Sequence, residues 1–310
     1  MQQPVTSVSQ RPQSFSEFVW QSHIKSILET AIQSARATTK PLGHLLFSGN
    51  SGFGKTTLAT ITAGMLEANI KIITWYAIGR PSELISILNL INEWDVLFID
   101  EIHRLRAPVE EVLYTAMEDY CVDMVMPDGH HIRLPVSPFT LIGATTKLES
   151  LSPALKNRFV YQFHMEPYTL LQKQAIVRRY IDLQHISCDR EMVATISDHI
   201  ASVPRQIANF CHQLKDYLIA HHKNIDTHVL TPDIWTDFRS RTALEKGGIT
   251  PLHQRYLGIL ADASQDPVWL RTLSAKLGMS EKAIENDIEP LLFELDRIQK
   301  TSRGRVLKNV

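Results

Sequence analysis

Cysteine is scarce in this chain. Cys121, Cys188 and Cys211 stand far apart, and no C-x-x-C pair occurs. That spacing argues against both a disulfide framework and a zinc site and suits a reducing cytoplasm. Long hydrophobic runs are missing, so no membrane-spanning helix is expected. The opening residues, MQQPVTSVSQRPQSF, lack the apolar stretch of a secretion signal. Neither charge sign dominates: 32 Lys and Arg against 33 Asp and Glu give a formal net charge of −1. Any contact with nucleic acid must therefore come from a local basic patch. Low complexity is confined to a Gln-, Ser- and Pro-rich leader over residues 1–16. With 44% hydrophobic residues over 310 positions, the chain is too apolar to be mainly disordered. It is long enough for two or three domains with their own cores.

What is present is an alternation of helix and buried strand. Phe18, Ile24, Ile27, Leu28 and Ile32 recur near 3.6-residue spacing and predict a helix from about Glu17 to Arg36. HLLFS (44–48) predicts a strand, a Gly-rich turn follows, and TTLATITAGMLEA (56–68) is helix-like. IKIITW (70–75), DVLFID (95–100) and FTLIGAT (139–145) predict further strands, the last two buried on both faces. Val109, Val112, Leu113 and Met117 mark a helix from about Pro108 to Tyr120, and CVDMVMPDGHHIRLPV (121–136) predicts a hairpin around Asp128-Gly129. This pattern implies an α/β domain with a parallel sheet. After Pro167 the spacing is helical to about residue 245, which predicts a small all-helical domain with no buried strand. Gly247-Gly248 and Pro251 then mark a linker to a third unit with a basic tail.

GNSGFGKT (49–56) matches G-x-x-x-x-G-K-[ST] between a predicted strand and a predicted helix, the context in which this pattern cradles phosphates. Gly49, Gly52 and Gly54 let backbone N–H groups curl around phosphate with no Cβ in the way. The helix start presents its positive dipole end. Lys55 is expected at the β- and γ-phosphates, Thr56 at Mg²⁺, and Thr57 beside it at the nucleotide. VLFIDE (96–101) ends a buried strand on two carboxylates, at the edge where open parallel sheets bind ligands. Asp100 is expected to hold Mg²⁺ and Glu101 to orient the attacking water. Adjacent strand residues face opposite sides, so the two are not a proton-sharing dyad. A Gly-rich turn with an incidental lysine, or solvated acids beyond a core strand, would explain either motif alone, but not their succession. ATP and Mg²⁺ are the expected cofactors. The 13 histidines suggest no further metal, since the pairs His130-His131 and His221-His222 are sequence neighbours, which seldom converge on one ion.

Residues 267–295 predict a helix-turn-helix. Trp269, Leu270, Leu273 and Leu277 share an apolar face, Gly278 makes the turn, and Ser280 caps a second helix from about Glu281 to Glu294. That helix carries Glu281, Glu285, Asp287, Glu289 and Glu294 against one lysine, a poor surface for a major groove. The tail holds Arg297, Lys300, Arg303, Arg305 and Lys308 against Asp296. Lys300, Arg303 and Arg305 are therefore the candidate DNA contacts, on a wing rather than on the helix.

DVLFIDEIHRL (95–105), VEEVLYTAMEDY (109–120) and PFTLIGATT (138–146) resemble the RuvB family, bacterial AAA+ ATPases that drive Holliday-junction branch migration. RPQSFSEFVWQ (11–21) is similar to the family's N-terminal box and VPRQIANFCHQLKDY (203–217) to its second sensor segment. QRYLGIL (254–260), LGMSEKAIENDIEPLL (277–292) and KTSRGRV (300–306) are similar to its winged-helix domain. The resemblance implies an AAA+ P-loop domain over 1–166, a helical lid over 167–246 and a C-terminal winged-helix domain over 247–310. It implies that Thr146 is the first sensor, at the γ-phosphate, and Arg205 the second, on the lid. It makes Arg158 an arginine finger acting on a neighbouring subunit's nucleotide, with Arg11 and Tyr168 lining the nucleotide. Glu118, Asp119 and Tyr120 fall on a further stretch associated with that site. A finger used in trans implies a homo-oligomeric ring, a hexamer in the family's manner. The implied function is an ATP-hydrolysing DNA motor in recombination and repair. The alternative is an ATPase switch or loader that recruits a partner without translocating.

Departures from the family pattern are local. Asn50-Ser51 stand for two prolines, Phe53 for a leucine and Trp20 for a glycine. Lys147 and Lys156 each replace an arginine, and Asn157 an aspartate. The family's hairpin is longer and apolar at its tip, where it docks on the junction-binding partner RuvA. Here the tip is PDGHHI (127–132), shorter and more polar, which counts against a RuvA-like partner.

Overall fold

The computed structural model describes residues 11–19, 22–125, 130–221, 228–263 and 266–308. The chain divides between Tyr168 and Thr169 into two compact units.

The first unit is built on a five-stranded sheet. Its strands are β1 (Leu45–Ser48), β2 (Ile70–Thr74), β3 (Val96–Asp100), β6 (Thr140–Thr145) and β7 (Tyr161–His164), in the order β2-β3-β6-β1-β7. All the pairings are parallel. β1 and β6 are buried at every position, and β3 at all but its last, Asp100. The two edge strands are partly open, and β7 buries only Phe163. That single burial explains why Tyr-Gln-Phe-His gives no strand signal in sequence. Helices α1 (Ser22–Thr38), α2 (Lys55–Leu66), α3 (Pro81–Leu88), α4 (Ala107–Glu118) and α5 (Pro153–Lys156) complete the unit. One core joins Leu97 and Leu141 of the sheet to Leu84 and Leu88 of α3 and Leu113 of α4. The hairpin is present as antiparallel β4 (Cys121–Val125) and β5 (His131–Pro135), with Val122 in that core. Its predicted turn at Asp128-Gly129 lies outside the described residues.

The first helix starts at Ser22, later than its periodicity suggests. Residues 14–17 instead form a turn closed by the Phe18 N–H on the Ser14 carbonyl at 3.1 Å. Phe15 and Phe18 are buried by this turn rather than on the helix.

The second unit opens with α6 (Leu170–Leu183), α7 (Arg190–Asp198), α8 (Pro204–His221) and α9 (Pro232–Thr242). It is not wholly helical. β8 (Ile186–Ser187) and β9 (His228–Val229) pair in parallel, and the Leu230 N–H extends the link to the Ser187 carbonyl at 2.8 Å. Two residues per strand are too few for a periodicity to register. Burial pushes the Cys211 thiol of α8 up to about 12, which keeps it protonated and unreactive.

The winged-helix part consists of α10 (Pro251–Asp262), α11 (Leu270–Leu277), α12 (Glu281–Ala283), α13 (Glu289–Glu294) and the antiparallel wing β10 (Ile298–Thr301) and β11 (Gly304–Leu307). The predicted continuous second helix is interrupted by a π turn over Ile284–Ile288. Pro290 has no N–H to return to the carbonyl four residues back. The Glu289 N–H reaches the Ile284 carbonyl, five back, and both Ile284 and Ile288 stay in the core. Among the described residues no helix is long and apolar enough to cross a membrane.

Candidate functional site

Parallel strands bring their carboxyl ends to one edge, and here that edge collects the chemistry. The phosphate loop leaves β1, Asp100 ends β3 with Glu101 just beyond it, and Thr146 follows β6, which lies between β3 and β1. The loop has glycine where the backbone demands it. Gly54 caps α2 with φ 99° and no side-chain bond, so no capping side chain competes with an anion at the start of the helix. A Cβ on Gly49 would come within 2.8 Å of Met165. Phe18 forms a wall 3.0 Å from where a Cβ on Gly54 would sit, and the Tyr168 hydroxyl donates to the Phe53 carbonyl at 2.9 Å. Tyr168 thus braces the loop from beneath. The buried Lys55 Nζ donates to the carbonyls of Gly49 (2.7 Å) and Asn50 (2.9 Å), which hold the ammonium across the loop's mouth. A triphosphate fits this chemistry: a cation, a helix start with no side-chain cap, and glycines at positions 49, 52 and 54 of the loop.

Glu101 has left the strand. Its φ of 51° turns the chain at the sheet edge. Its carboxylate accepts from the Thr146 hydroxyl at 2.9 and 3.1 Å and from the Thr146 N–H at 3.3 Å. His103 Nδ1 lies 3.1 Å from the same carboxylate and 2.8 Å from the Thr145 hydroxyl. Burial holds His103 below the ordinary imidazole value, against the upward pull of Glu101. Asp100 is half-buried and accepts from the Glu101 N–H at 3.0 Å. Strand alternation does not apply to this pair, because Glu101 lies beyond the end of β3 with its own positive φ.

Arg158 stands in a second cluster. Its guanidinium lies over the Tyr114 ring at 4.2 Å, pairs with Glu118 at 3.2 Å and donates to the Ala154 carbonyl at 2.7 Å. Its Nε is buried without a partner among the described residues. Tyr114 is fixed in turn, because its hydroxyl and that of Ser152 both donate to buried Glu110, at 3.0 and 2.7 Å. Glu118 therefore pairs directly with the arginine that the sequence resemblance implies as a finger. Asp119 pairs with Arg133 of the hairpin, and Tyr120 packs edge-on to Phe139. Arg11 is exposed, and Arg205 is exposed in the first turn of α8. Sequence reasoning missed Glu110 and Tyr114, although Glu110, Tyr114 and Glu118 recur at four-residue spacing, one helix face.

The wing corrects one DNA candidate. Lys300 and Arg303 are exposed, but Arg305 is only 6% exposed. Its guanidinium donates to Glu289 at 2.7 and 3.1 Å and to Glu285 at 2.8 Å. The Tyr256 hydroxyl also donates to Glu289, at 2.9 Å, and burial together with that carboxylate pushes the phenol pKa up. Arg305 is a buried counter-charge, not a phosphate contact. Glu289 is likewise structural rather than a repulsive surface acid. Arg305→Ala is expected to strand Glu289 and to destabilise the winged-helix part by about 3–5 kcal/mol, read by chemical denaturation. Lys300→Ala should change stability by no more than about 1 kcal/mol, because its pairing with Glu285 is exposed.

Residues 10–165 match the family model of the Holliday junction DNA helicase RuvB P-loop domain, and residues 246–309 that of the RuvB C-terminal winged helix domain. The structure of the Thermotoga maritima RuvB Holliday junction branch migration motor is similar at TM-score 0.82 and 30% identity, over 97% of this chain and 96% of that one. A proline-to-glycine mutant of the same Thermotoga protein gives TM-score 0.83 at 30% identity, over 96% of each chain.

Proposed function

Since this chain belongs to the RuvB family, we propose that it is an ATP-hydrolysing DNA motor that drives Holliday-junction branch migration. The observation that carries the reading is the Glu101–Thr146 pair at the sheet edge, flanked by the phosphate loop and Asp100. Lys55 and the N–H groups at the start of α2 bind the triphosphate. Thr56 and Asp100 hold Mg²⁺, which supplies positive charge to the β- and γ-phosphates. Glu101 orients water and takes its proton, and Thr146 fixes that carboxylate while facing the γ-phosphate. Arg158 completes a neighbouring subunit's site, so the active form is a ring, a hexamer in the family's manner, with Arg205 contributed by the lid. Its domains are the P-loop domain over 1–166, the lid over 167–246 and the winged helix over 247–310. Scattered free cysteines support a reducing, cytoplasmic setting. The short, polar hairpin tip supports a partner other than RuvA at β4–β5.

The test is movement of a synthetic four-way junction. Strand exchange that requires ATP, and stops when only a non-hydrolysable analogue is supplied, is expected. DNA-stimulated hydrolysis without strand exchange would mark the protein as a switch or loader instead.

DNA contact is assigned to Lys300 and Arg303. Each neutralised phosphate adds about −0.9 to the slope of log affinity against log salt. Lys300→Ala with Arg303→Ala is therefore expected to flatten that slope by up to about 1.8 per engaged subunit, with ATP binding intact. A titration series of duplex binding between low and moderate salt measures it. An unchanged slope places the DNA contacts elsewhere.

A further inference from the structure

The winged-helix part carries a cavity that the wing's phosphate contacts do not use. It measures about 600 Å³, and its walls include Trp269, Arg271, Thr272, Ala275, Glu281 and Arg305. Trp269 is 61% exposed, so the protein forgoes the stabilisation that burying an indole would bring.

The position of this indole is built. The Val268 N–H donates to the Arg305 carbonyl at 2.9 Å, and the Arg305 N–H to the Val268 carbonyl at 2.8 Å. This isolated bridge ties the residue before Trp269 to β11. The approach is close enough that a Cβ on Gly304 would lie 2.4 Å from the Val268 carbonyl oxygen. Val268 is buried while its neighbour is open, so the indole sits on a rigid mount next to the wing.

The surrounding groups complement a nucleotide. Arg271 is exposed and makes no ion pair among the described residues, which leaves a guanidinium for a phosphate or a base carbonyl. Glu281 offers a carboxylate that can accept from an exocyclic amine, as acidic side chains do from cytosine. An open indole face stacks on any base. A fully paired duplex hides base faces in its own stack, so the ligand this chemistry selects is an unpaired base. We propose that Trp269, Arg271 and Glu281 form a binding site for one unpaired DNA base, separate from the phosphate contacts at Lys300 and Arg303. The inference rests on the reading of this part as DNA-facing.

The experiment compares the full chain on a paired duplex and on the same duplex with a short single-stranded gap containing 2-aminopurine, at one salt concentration. Trp269→Ala is expected to weaken binding to the gapped duplex by about 5- to 150-fold, the range for one base stacked on an aromatic ring. Paired-duplex binding should be unchanged, and Trp269→Phe should keep most of the gapped affinity. The 2-aminopurine signal should be quenched by the unaltered chain and by Trp269→Phe, and not by Trp269→Ala. Undiminished gapped binding and quenching in Trp269→Ala overturn the proposal. So does an equal loss on both duplexes, which makes Trp269 a general duplex contact, or the loss of a protein partner with gapped binding intact. If Lys300→Ala with Arg303→Ala spares paired-duplex binding, the wing reading fails, while the quenching still decides the base site.

Discussion

Glu101→Gln is expected to bind ATP as the unaltered chain does and to hydrolyse it about 10²- to 10⁴-fold more slowly. The amide keeps the side chain's size and one accepting oxygen, so the bond from the Thr146 hydroxyl can persist. What it loses is the negative charge that takes the water's proton. The phosphate cradle should keep its shape, because the Gly49 and Asn50 carbonyls hold Lys55 in place. Binding of a fluorescent ATP analogue and single-turnover hydrolysis separate the two effects. Lys55→Ala should do the reverse and weaken binding itself. Hydrolysis by Glu101→Gln at the unaltered rate would remove Glu101 from this role.

A second large effect is expected at Arg158. An arginine finger contributes about 10³- to 10⁵-fold to turnover, so Arg158→Ala alone should be nearly inactive as an ATPase. Mixed with Lys55→Ala, it should recover part of the activity, because some interfaces then pair an intact phosphate loop with an intact finger. The local geometry favours such a clean result. Arg158 sits against Tyr114 and Glu118, and Tyr114 is held by Glu110 and Ser152 rather than by the guanidinium. Removing the guanidinium should therefore leave α4 and α5 in place. Steady-state hydrolysis across mixing ratios, with mixed rings verified by native mass spectrometry, gives the answer. No recovery at any ratio would sink the trans finger.

How far the sequence could be read depended on the kind of interaction. β3 and β6 were legible because a strand buried on both faces leaves an unbroken apolar run. β7 was not, since an edge strand with one buried residue leaves none. The phosphate loop and the Asp100-Glu101 pair were legible because their chemistry fixes residue type and spacing within a few positions. The cluster around Arg158 joins residues 42 positions apart in the Glu110–Ser152 bond, and no local pattern records such a meeting. The wing shows the opposite error. Arg305 reads as one more cation in a basic tail, yet the π turn that accommodates Pro290 accompanies a buried Glu289, and Arg305 is drawn inward to it. Charge counting along a tail cannot tell a solvated arginine from a buried one.

The same buried pair bears on how force could pass through the molecule. A two-stranded hairpin standing alone is soft, and its strands shear past one another easily. Here β11 is fastened on one side by the Val268 bridge and on its inner face by the Arg305–Glu289 bond, while Lys300 and Arg303 sit near the free end. A pull on the DNA backbone at those two residues loads α13 and α10 directly, through Glu289 and the Tyr256 hydroxyl bonded to it. These bonds tie β11 to the helices behind it rather than leaving the wing as an isolated hairpin. In the proposed motor, force on the wing would pass through these bonds to Lys300 and Arg303.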